Sequence, residues 1–325
     1  MKRLLFVYNP NAGKGQVRKY LSTILERLGE LDYEMVIRPT RRQGDATRIV
    51  RENAGDCELL VCSGGDGTLN ETIDGLMRRQ AEGLPVPVLG YIPAGTVNDF
   101  ATSLNLPKDP EAAVRVIMDG KKFRPDFGSI ESASGKTLGH FTYIAGFGAF
   151  TEVSYETPQT TKNSFGKVAY FVEAAKRLPD IRPIPMQVYY EDQMIEGDFL
   201  YGMVTNSLSV GGFKGITGKG VLLDDGKFDV ILVRMPKKPS DLQNTINSLL
   251  VGEWNNASIC HFHTDRVTFD SSKSVPWVLD GESGGAHHRL TIQNHQQALE
   301  IMVPANYGDQ TMDKKKKKPE KEELS

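Results

Sequence analysis

The stretch that decides the fold is LLVCSGGDGTLNE, residues 59–71. It begins as an apolar run, turns through three glycines within four positions and continues as the start of a helix. Glycines at such a strand-to-helix turn let backbone N–H groups approach an anion, which the helix dipole also attracts. Asp66 would repel a phosphate unless a divalent cation lay between them. The stretch predicts a nucleotide phosphate site with a metal ion, or an ordinary turn in which Asp66 caps the helix.

Strands and helices alternate on both sides of this stretch. Apolar runs at residues 4–8, 33–38 and 86–92 are each followed by a turn and a helical pattern, which is typical of a doubly wound parallel α/β sheet. The turn at residues 9–15 is also rich in glycine and carries Lys14, although its spacing is not that of a Walker A loop. Parallel sheets gather their ligands at the carboxyl ends of their strands, so both glycine turns are expected at one edge.

From about residue 129 the pattern changes to short alternating runs with turn signals, which predicts an antiparallel β-sandwich or barrel. One helix is predicted over 165–178, where it could lie on a membrane surface but more simply covers the sheet, and another begins near Ser240. The predicted domains are 1–128 (α/β), 129–296 (β-sandwich), 297–310 (a segment returning to the first domain) and 311–325 (a lysine-rich tail, disordered by composition).

Composition excludes several classes of protein. The 325 residues are 39% hydrophobic and 25% charged, as in globular two-domain proteins. The net charge of −2 gives no basic field for nucleic acid, and no apolar run approaches the ~20 residues of a membrane-spanning helix. Three cysteines without metal or redox spacing fit a reducing cytoplasm. The histidine pairs at 261/263 and 287/288 find no third metal ligand at a useful spacing, so they are interpreted as surface residues.

Two further stretches of sequence contain residues that could take part in binding or catalysis. GTVNDFA, residues 95–101, is another turn into a helix, in which Asn and Asp are by themselves ordinary cap residues. VPWVLDGE, residues 275–282, ends a strand with two carboxylates on either side of a glycine. Phosphoryl transfer to an alcohol needs a group that accepts the hydroxyl proton, and Asp280 or Glu282 could be that base, although such turns are more often simply solvated.

In this order, GGDGTLNE, GTVNDFA and DGE resemble the diacylglycerol kinase catalytic-domain family of soluble bacterial lipid kinases, over nearly the whole chain. NAD kinases and phosphofructokinases share a looser form of the first string but lack the second. Two positions depart from the family pattern: Thr102 stands where many members have arginine, and Ala12 where serine is common. The departures remove a guanidinium group and one hydroxyl from the expected site.

The resemblance implies that ATP lies between the two domains with Mg²⁺. It implies a catalytic Mg²⁺ held, largely through water, by Asp66, Asp99 and Asp126. It also implies a structural Mg²⁺ at the turn formed by Leu222, Asp225 and Lys227, in which Asp225 supplies the carboxylate. Asp280 is the first choice of base, and Glu282 is the second. The expected nucleotide-binding residues are Asn9, Pro10, Asn11, Ala12, Gly13, Thr40, Gly64, Gly65, Asp66, Gly67, Thr68, Leu69, Asn70 and Thr96.

The expected reaction transfers the γ-phosphoryl of ATP to the hydroxyl of diacylglycerol, giving phosphatidic acid. Because that lipid lies in a bilayer, a cytoplasmic protein is expected to dock reversibly on the inner membrane face; the resemblance also suggests a homodimer. Three alternatives remain: a kinase of another lipid alcohol, an NAD kinase, and a non-catalytic regulator of the same fold that binds nucleotide or lipid. The NDFA segment disfavours the second, and the intact Asp66 and Asp280 disfavour the third.

Overall fold

The computed structural model describes residues 2–148, 183–214, 217, 221–236 and 256–308, together with 238, 241, 244, 245, 247–249, 252 and 254. The helix predicted over 165–178 and the tail at 311–325 lie outside the described residues, and the helix predicted near Ser240 falls where only separate positions are described. In chain order the elements are β1 (Lys2–Tyr8), α1 (Ala12–Leu28), β2 (Tyr33–Pro39), α2 (Asp45–Asn53), β3 (Leu59–Gly64), α3 (Asp66–Ala81), β4 (Val88–Pro93), α4 (Asp99–Ser103), α5 (Pro110–Asp119), β5 (Lys121–Phe123), β6 (Phe127–Ser132), β7 (Thr137–Phe141), β8 (Ile144–Gly148), β9 (Ile184–Tyr190), β10 (Gln193–Thr205), β11 (Ser209–Val210), β12 (Phe213–Lys214), β13 (Phe228–Arg234), β14 (Ile259–Thr264), β15 (Arg266–Leu279), β16 (Glu282–His295) and β17 (Ile301–Val303).

The first sheet has the order β2-β1-β3-β4-β17-β5, and its first five strands run parallel. Both faces are covered, because alternate residues of β1 enter two different cores. Leu4 and Phe6 pack with Ile24 of α1, whereas Leu5 and Val7 pack with Leu69 and other residues of the opposite core. Burial on both faces explains why these strands are continuous apolar runs. The predicted doubly wound domain is confirmed.

The second sheet is antiparallel, with the order β14-β13-β10-β8-β15-β16-β6-β7 and with β9 paired to both β10 and β15. The first halves of the long strands β10 and β15 pair with β9, and their second halves pair with β8. The sheet therefore bends around a core that includes Phe147, Phe269 and Trp277. The predicted antiparallel sandwich-like domain is confirmed.

The chain changes sheets at residues 124–126. The segment 121–132 is divided into β5 of the first sheet and β6 of the second. The reason is chemical: Pro125 has no N–H for a sheet ladder, and the N–H of Asp126 donates to the Leu223 carbonyl at 2.7 Å. Near the other end of the chain, β17 lies between β4 and β5 of the first sheet.

The two sheets are joined through α3. Asp74 of this helix accepts a hydrogen bond from Arg78 Nε at 2.8 Å, and its other oxygen lies 2.7 Å from Nδ1 of His140 on β7. The His140 ring packs edge-on against His295 of β16, whose Nε2 lies 2.8 Å from Ser129 Oγ. No helix among the described residues has the length and hydrophobicity needed to cross a membrane.

This junction gives the protein an acid-sensitive contact. Burial, followed by the neighbouring His140, lowers the pKa of His295 from its usual 6.5. Below about pH 6.5 His295 therefore binds a proton more readily in the unfolded chain than in the folded one. The free energy of unfolding consequently falls as the pH falls. We expect His295→Gln, which keeps a polar partner for Ser129, to lose less stability than the wild type between pH 7 and pH 5 in urea unfolding. Equal losses in the two proteins would contradict this assignment, and His288→Ala, at an exposed position, is the control.

Candidate active site

Three turns meet at the carboxyl edge of the first sheet. In the strand register Tyr8 is opposite both Pro39 and Ser63, and Gly64 is opposite Pro93, so the turns after these strands begin level with one another. The turns at 9–13, 64–68 and 94–98 therefore form a single surface, as expected for a nucleotide site in a parallel α/β sheet.

The turns touch so closely that side chains would not fit. A Cβ on Gly95 would lie 2.7 Å from the Gly65 Cα, and a Cβ on Gly64 would lie 2.6 Å from the Thr68 Cβ. A Cβ on Gly13, whose φ is +58°, would collide with the Ala94 carbonyl. Positive φ continues through Lys14 and Gly15, so the glycine loop extends into the first turn of α1. The N-terminus of α3 has no side-chain cap hydrogen bond, so its first backbone N–H groups can face an anion, which the helix dipole favours.

The other residues predicted to bind the nucleotide lie in or beside these turns. Asn9 Oδ1 accepts the Asn11 N–H at 2.9 Å, and Asn9 Nδ2 donates to Thr68 Oγ1 at 3.3 Å. The Thr40 N–H donates to the Tyr8 carbonyl at 2.9 Å, which fixes its buried side chain at the same edge. Thr96 is exposed, whereas Leu69 is buried in the core and can offer a ligand only its backbone. Pro10 and Ala12 complete the first turn.

Asp66 is held in the turn by Asn98. The Asn98 N–H donates to Asp66 Oδ2 at 3.0 Å, and the Asn98 side chain binds both the N–H and the carbonyl of Gly95. The backbone of Asn98 is left-handed (φ 57°), a conformation that asparagine tolerates better than most residues. The NDFA string thus positions Asp66.

The other carboxylate oxygen of Asp66 suits a cation. Oδ1 is buried and has no hydrogen-bond partner within the part of the chain that the structure describes. Burial, aided by the charges of Asp99 and Asp280, raises the pKa of Asp66 to about 7. A buried oxygen without a donor, repelled by two further carboxylates, is the environment that a divalent cation relieves. The residues present therefore fit the metal ion that was expected here.

Asp99 lies near Asp66 but faces the second domain. Its carboxylate accepts hydrogen bonds from Ser209 Oγ at 2.7 Å, from the Gly211 N–H at 2.7 Å and from the Gly212 N–H at 2.8 Å. These bonds tie α4 to the β11–β12 hairpin. Asp99 therefore contributes charge near Asp66 while its oxygens bind protein donors.

Asp126 is bound by a different part of the chain from Asp66. Its carboxylate accepts the Gly226 N–H at 2.6 Å and the Gln297 N–H at 2.8 Å, and burial raises its pKa. It therefore braces the turn predicted to hold a structural metal ion. In that turn Asp225 Oδ1 accepts the Lys227 N–H at 3.0 Å, and the side chain of Leu222 is exposed. Both magnesium ligand sets remain predictions.

Asp280 is the most completely hydrogen-bonded of the predicted site residues. Oδ2 accepts from Asn70 Nδ2 (2.8 Å) and from both the N–H and the hydroxyl of Thr142 (2.6 and 2.7 Å). Oδ1 accepts the N–H groups of Tyr143 and Ile144, each at 3.0 Å. Burial raises the pKa of Asp280, although these donors oppose the shift. Five donors leave little capacity to accept a substrate proton.

Glu282 is placed differently. Its side chain is exposed and makes no hydrogen bond or ion pair with any described residue. Its Oε1 lies 3.7 Å from the position that a Cβ on Gly67 would occupy, directly over the start of α3. The Asp280-Gly281 turn, with φ of 50° and 88°, directs this carboxylate from the second domain towards the phosphate turn of the first. The geometry therefore favours Glu282 over Asp280 as a proton acceptor.

Three contributors were not predicted from the sequence: the positioning role of Asn98, the Thr142 donors to Asp280, and the 209–212 segment that binds Asp99. The left-handed tendency of asparagine in a glycine turn could have indicated the first. Thr142 and Ser209 carry no local signal, because the pairing of distant strands brings them to their partners.

Glycine turns at the edge of a parallel sheet, with an acidic cluster facing a second domain, are the arrangement of a nucleotide-dependent phosphotransferase. Two family models match the chain: "Diacylglycerol kinase catalytic domain" over residues 3–130, and "YegS C-terminal NAD kinase beta sandwich-like domain" over residues 143–303.

Relatives match over nearly the full length. A diacylglycerol kinase of Bacillus subtilis (strain 168) is 31% identical, covering 96% of this chain and 100% of that protein. One of Staphylococcus carnosus (strain TM300) is 32% identical, covering 93% and 95%. A crystal structure of a diacylglycerol kinase from Bacillus anthracis (strain Sterne) shares the fold, with a TM-score of 0.72 at 23% identity over 94% of this chain and 98% of that one. The chain belongs to the diacylglycerol kinase family. The predicted resemblance is confirmed, and membership makes the chain a lipid kinase that uses ATP and a divalent metal ion.

Proposed function

We propose that this lipid kinase transfers the γ-phosphoryl of ATP to the hydroxyl of diacylglycerol, giving phosphatidic acid. The observation that carries the proposal is the position of Glu282, a carboxylate of the second domain, over Gly67 in the phosphate turn of the first. A hydroxyl bound between them would lie next to both the proton acceptor and the transferred group. The names of the relatives support diacylglycerol as the acceptor.

Different residues of this chain have different roles in the proposed reaction. The N–H groups of the 64–68 turn bind and orient the phosphates at the N-terminus of α3, and the 9–13 turn borders the same site. Asp66 would hold Mg²⁺ through Oδ1, and that ion, when bound, neutralises charge on the phosphates. Glu282 accepts the proton of the lipid hydroxyl. Asp280 is a positioning residue, because it fastens the turn that carries Glu282 to residues 142–144 and to Asn70 of α3.

The acceptor lies in a bilayer, so the proposal includes peripheral contact with a membrane. Two exposed apolar side chains border the acidic cluster: Val97 precedes Asn98, and Leu208 lies beside the hairpin that binds Asp99. Apolar side chains at the mouth of a site would favour its approach to a lipid surface. The expected homodimer and the cytoplasmic location remain predictions.

A labelling assay tests the proposal. Radiolabelled ATP and Mg²⁺ are supplied with diacylglycerol in mixed micelles, and in parallel with other lipid alcohols or with NAD. We expect label in phosphatidic acid, and none when Mg²⁺ is replaced by excess chelator. Label in another lipid alone would keep the lipid kinase and reject diacylglycerol. Label in NAD, or in no product, would reject the proposed reaction in favour of an NAD kinase or a non-catalytic regulator.

A further inference from the structure

We propose that Asp229, His261 and His263 form a binding site for a zinc-class divalent transition-metal ion in the second domain. Among the described residues these three side chains can each offer one ligand atom, and all three atoms lie within 4.8 Å of one another. The phosphoryl transfer described above uses none of them.

Strand register creates the group. His261 and His263 are two residues apart on β14, so their side chains leave the same face of the sheet. Asp229 of β13 is directly opposite His263 and therefore shares that face. The separation of 32 residues between Asp229 and His261 hides this third ligand in the sequence.

The ligand atoms converge on one point. His261 Nε2 lies 3.1 Å and His263 Nε2 lies 2.9 Å from the same atom, Oδ1 of Asp229. In a tetrahedral zinc site with bonds of about 2.0–2.1 Å, neighbouring ligand atoms are about 3.3 Å apart. Small side-chain rotations would thus bring the three atoms to coordination distances.

The donor set selects the kind of ion. Two imidazoles and one carboxylate suit Zn²⁺ and its transition-metal neighbours, whereas Mg²⁺ prefers oxygen ligands alone. The Asp229 side chain is 9% exposed and that of His261 19%, while that of His263 is 54% exposed. The ring of Trp254 packs 5.2 Å from the ring of His261. The site is therefore enclosed on one side and open to solvent at His263, where an ion can enter and a water molecule can complete its coordination.

The expected effect of the ion is on stability. In the described part of the second sheet, β14 lies at an edge and is held by β13 alone. A metal ion bound by one side chain of β13 and two of β14 would join this edge strand to the sheet. Binding to the folded state alone raises the apparent stability.

Metal titration of the full chain tests the site. Protein freed of metal with a chelator is titrated with Zn²⁺ against a chromophoric competitor, with Mg²⁺ in excess to occupy oxygen sites, and Co²⁺ is used as a spectroscopic probe. We expect one Zn²⁺ per chain, visible Co²⁺ bands of low coordination number, and a raised Tm. His263→Ala, at the exposed ligand, should weaken Zn²⁺ binding by more than about tenfold, and Asp229→Asn should do the same.

Two control variants make the result decisive. His288→Ala removes an exposed histidine from another strand, and Cys260→Ser removes the thiol that immediately precedes His261 and packs against the core of the second domain. Both should bind Zn²⁺ like the wild type. The proposal is overturned if the wild type binds no Zn²⁺, which would leave a plain hydrogen-bonded cluster, or if either His263→Ala or Asp229→Asn binds Zn²⁺ as tightly as the wild type.

Discussion

Replacing Glu282 with glutamine is expected to lower turnover by about 10²–10⁴-fold, the usual contribution of a general base, while ATP binding and stability stay close to wild type. The side chain is exposed and has no hydrogen-bond partner among the described residues, so its charge can be removed without leaving a buried group unpaired. Single-turnover transfer from labelled ATP, nucleotide binding and urea unfolding, measured on the same preparation, give the three readouts.

Asp280→Asn is the matched comparison, and we expect it to lose both turnover and stability. An asparagine in that position would direct an NH₂ group at the N–H donors of residues 142–144. If Glu282→Gln instead keeps full turnover while a stable Asp280→Asn protein is inactive, the base is Asp280, which was preferred from the sequence.

Asp66→Asn is expected to lower the rate of phosphoryl transfer by at least about 10³-fold, because the buried oxygen suited to the metal ion loses its charge. When both proteins are free of metal, the variant should be more stable than the wild type. A pKa raised to about 7 means that the charged form of the Asp66 carboxylate destabilises the folded state at neutral pH.

The measurement pairs activity with divalent-cation affinity. In the wild type that affinity should rise between pH 6 and pH 8, as the Asp66 proton is lost, and in the variant it should be weak at both. Asp56→Asn, at a side chain that is 83% exposed, is the control and should change neither quantity. A variant that retains activity and cation affinity would remove Asp66 from the metal site.

Local sequence predicted the features that depend on neighbours along the chain. The apolar runs of the first domain required burial on both faces and therefore a parallel sheet, and the glycines of residues 64–67 required a turn with close backbone contacts. The division between β5 and β6 at Pro125 also has a local cause, because proline has no N–H for a sheet ladder.

The roles of individual carboxylates could not be predicted in this way. Asp99 and Asp280 are bound by segments 110 and about 137 residues away in the chain, and the partner of the His261–His263 pair lies on the preceding strand. A spacing pattern shows that an aspartate follows a strand, but only the register of distant strands shows which donors its oxygens meet.

The double hydrogen bond of Asn70 has a consequence for how the kinase works. Its amide donates to the His140 carbonyl and to Asp280, from the same helix whose first turn faces the phosphates. A movement that separates the two domains at this point would have to break both hydrogen bonds.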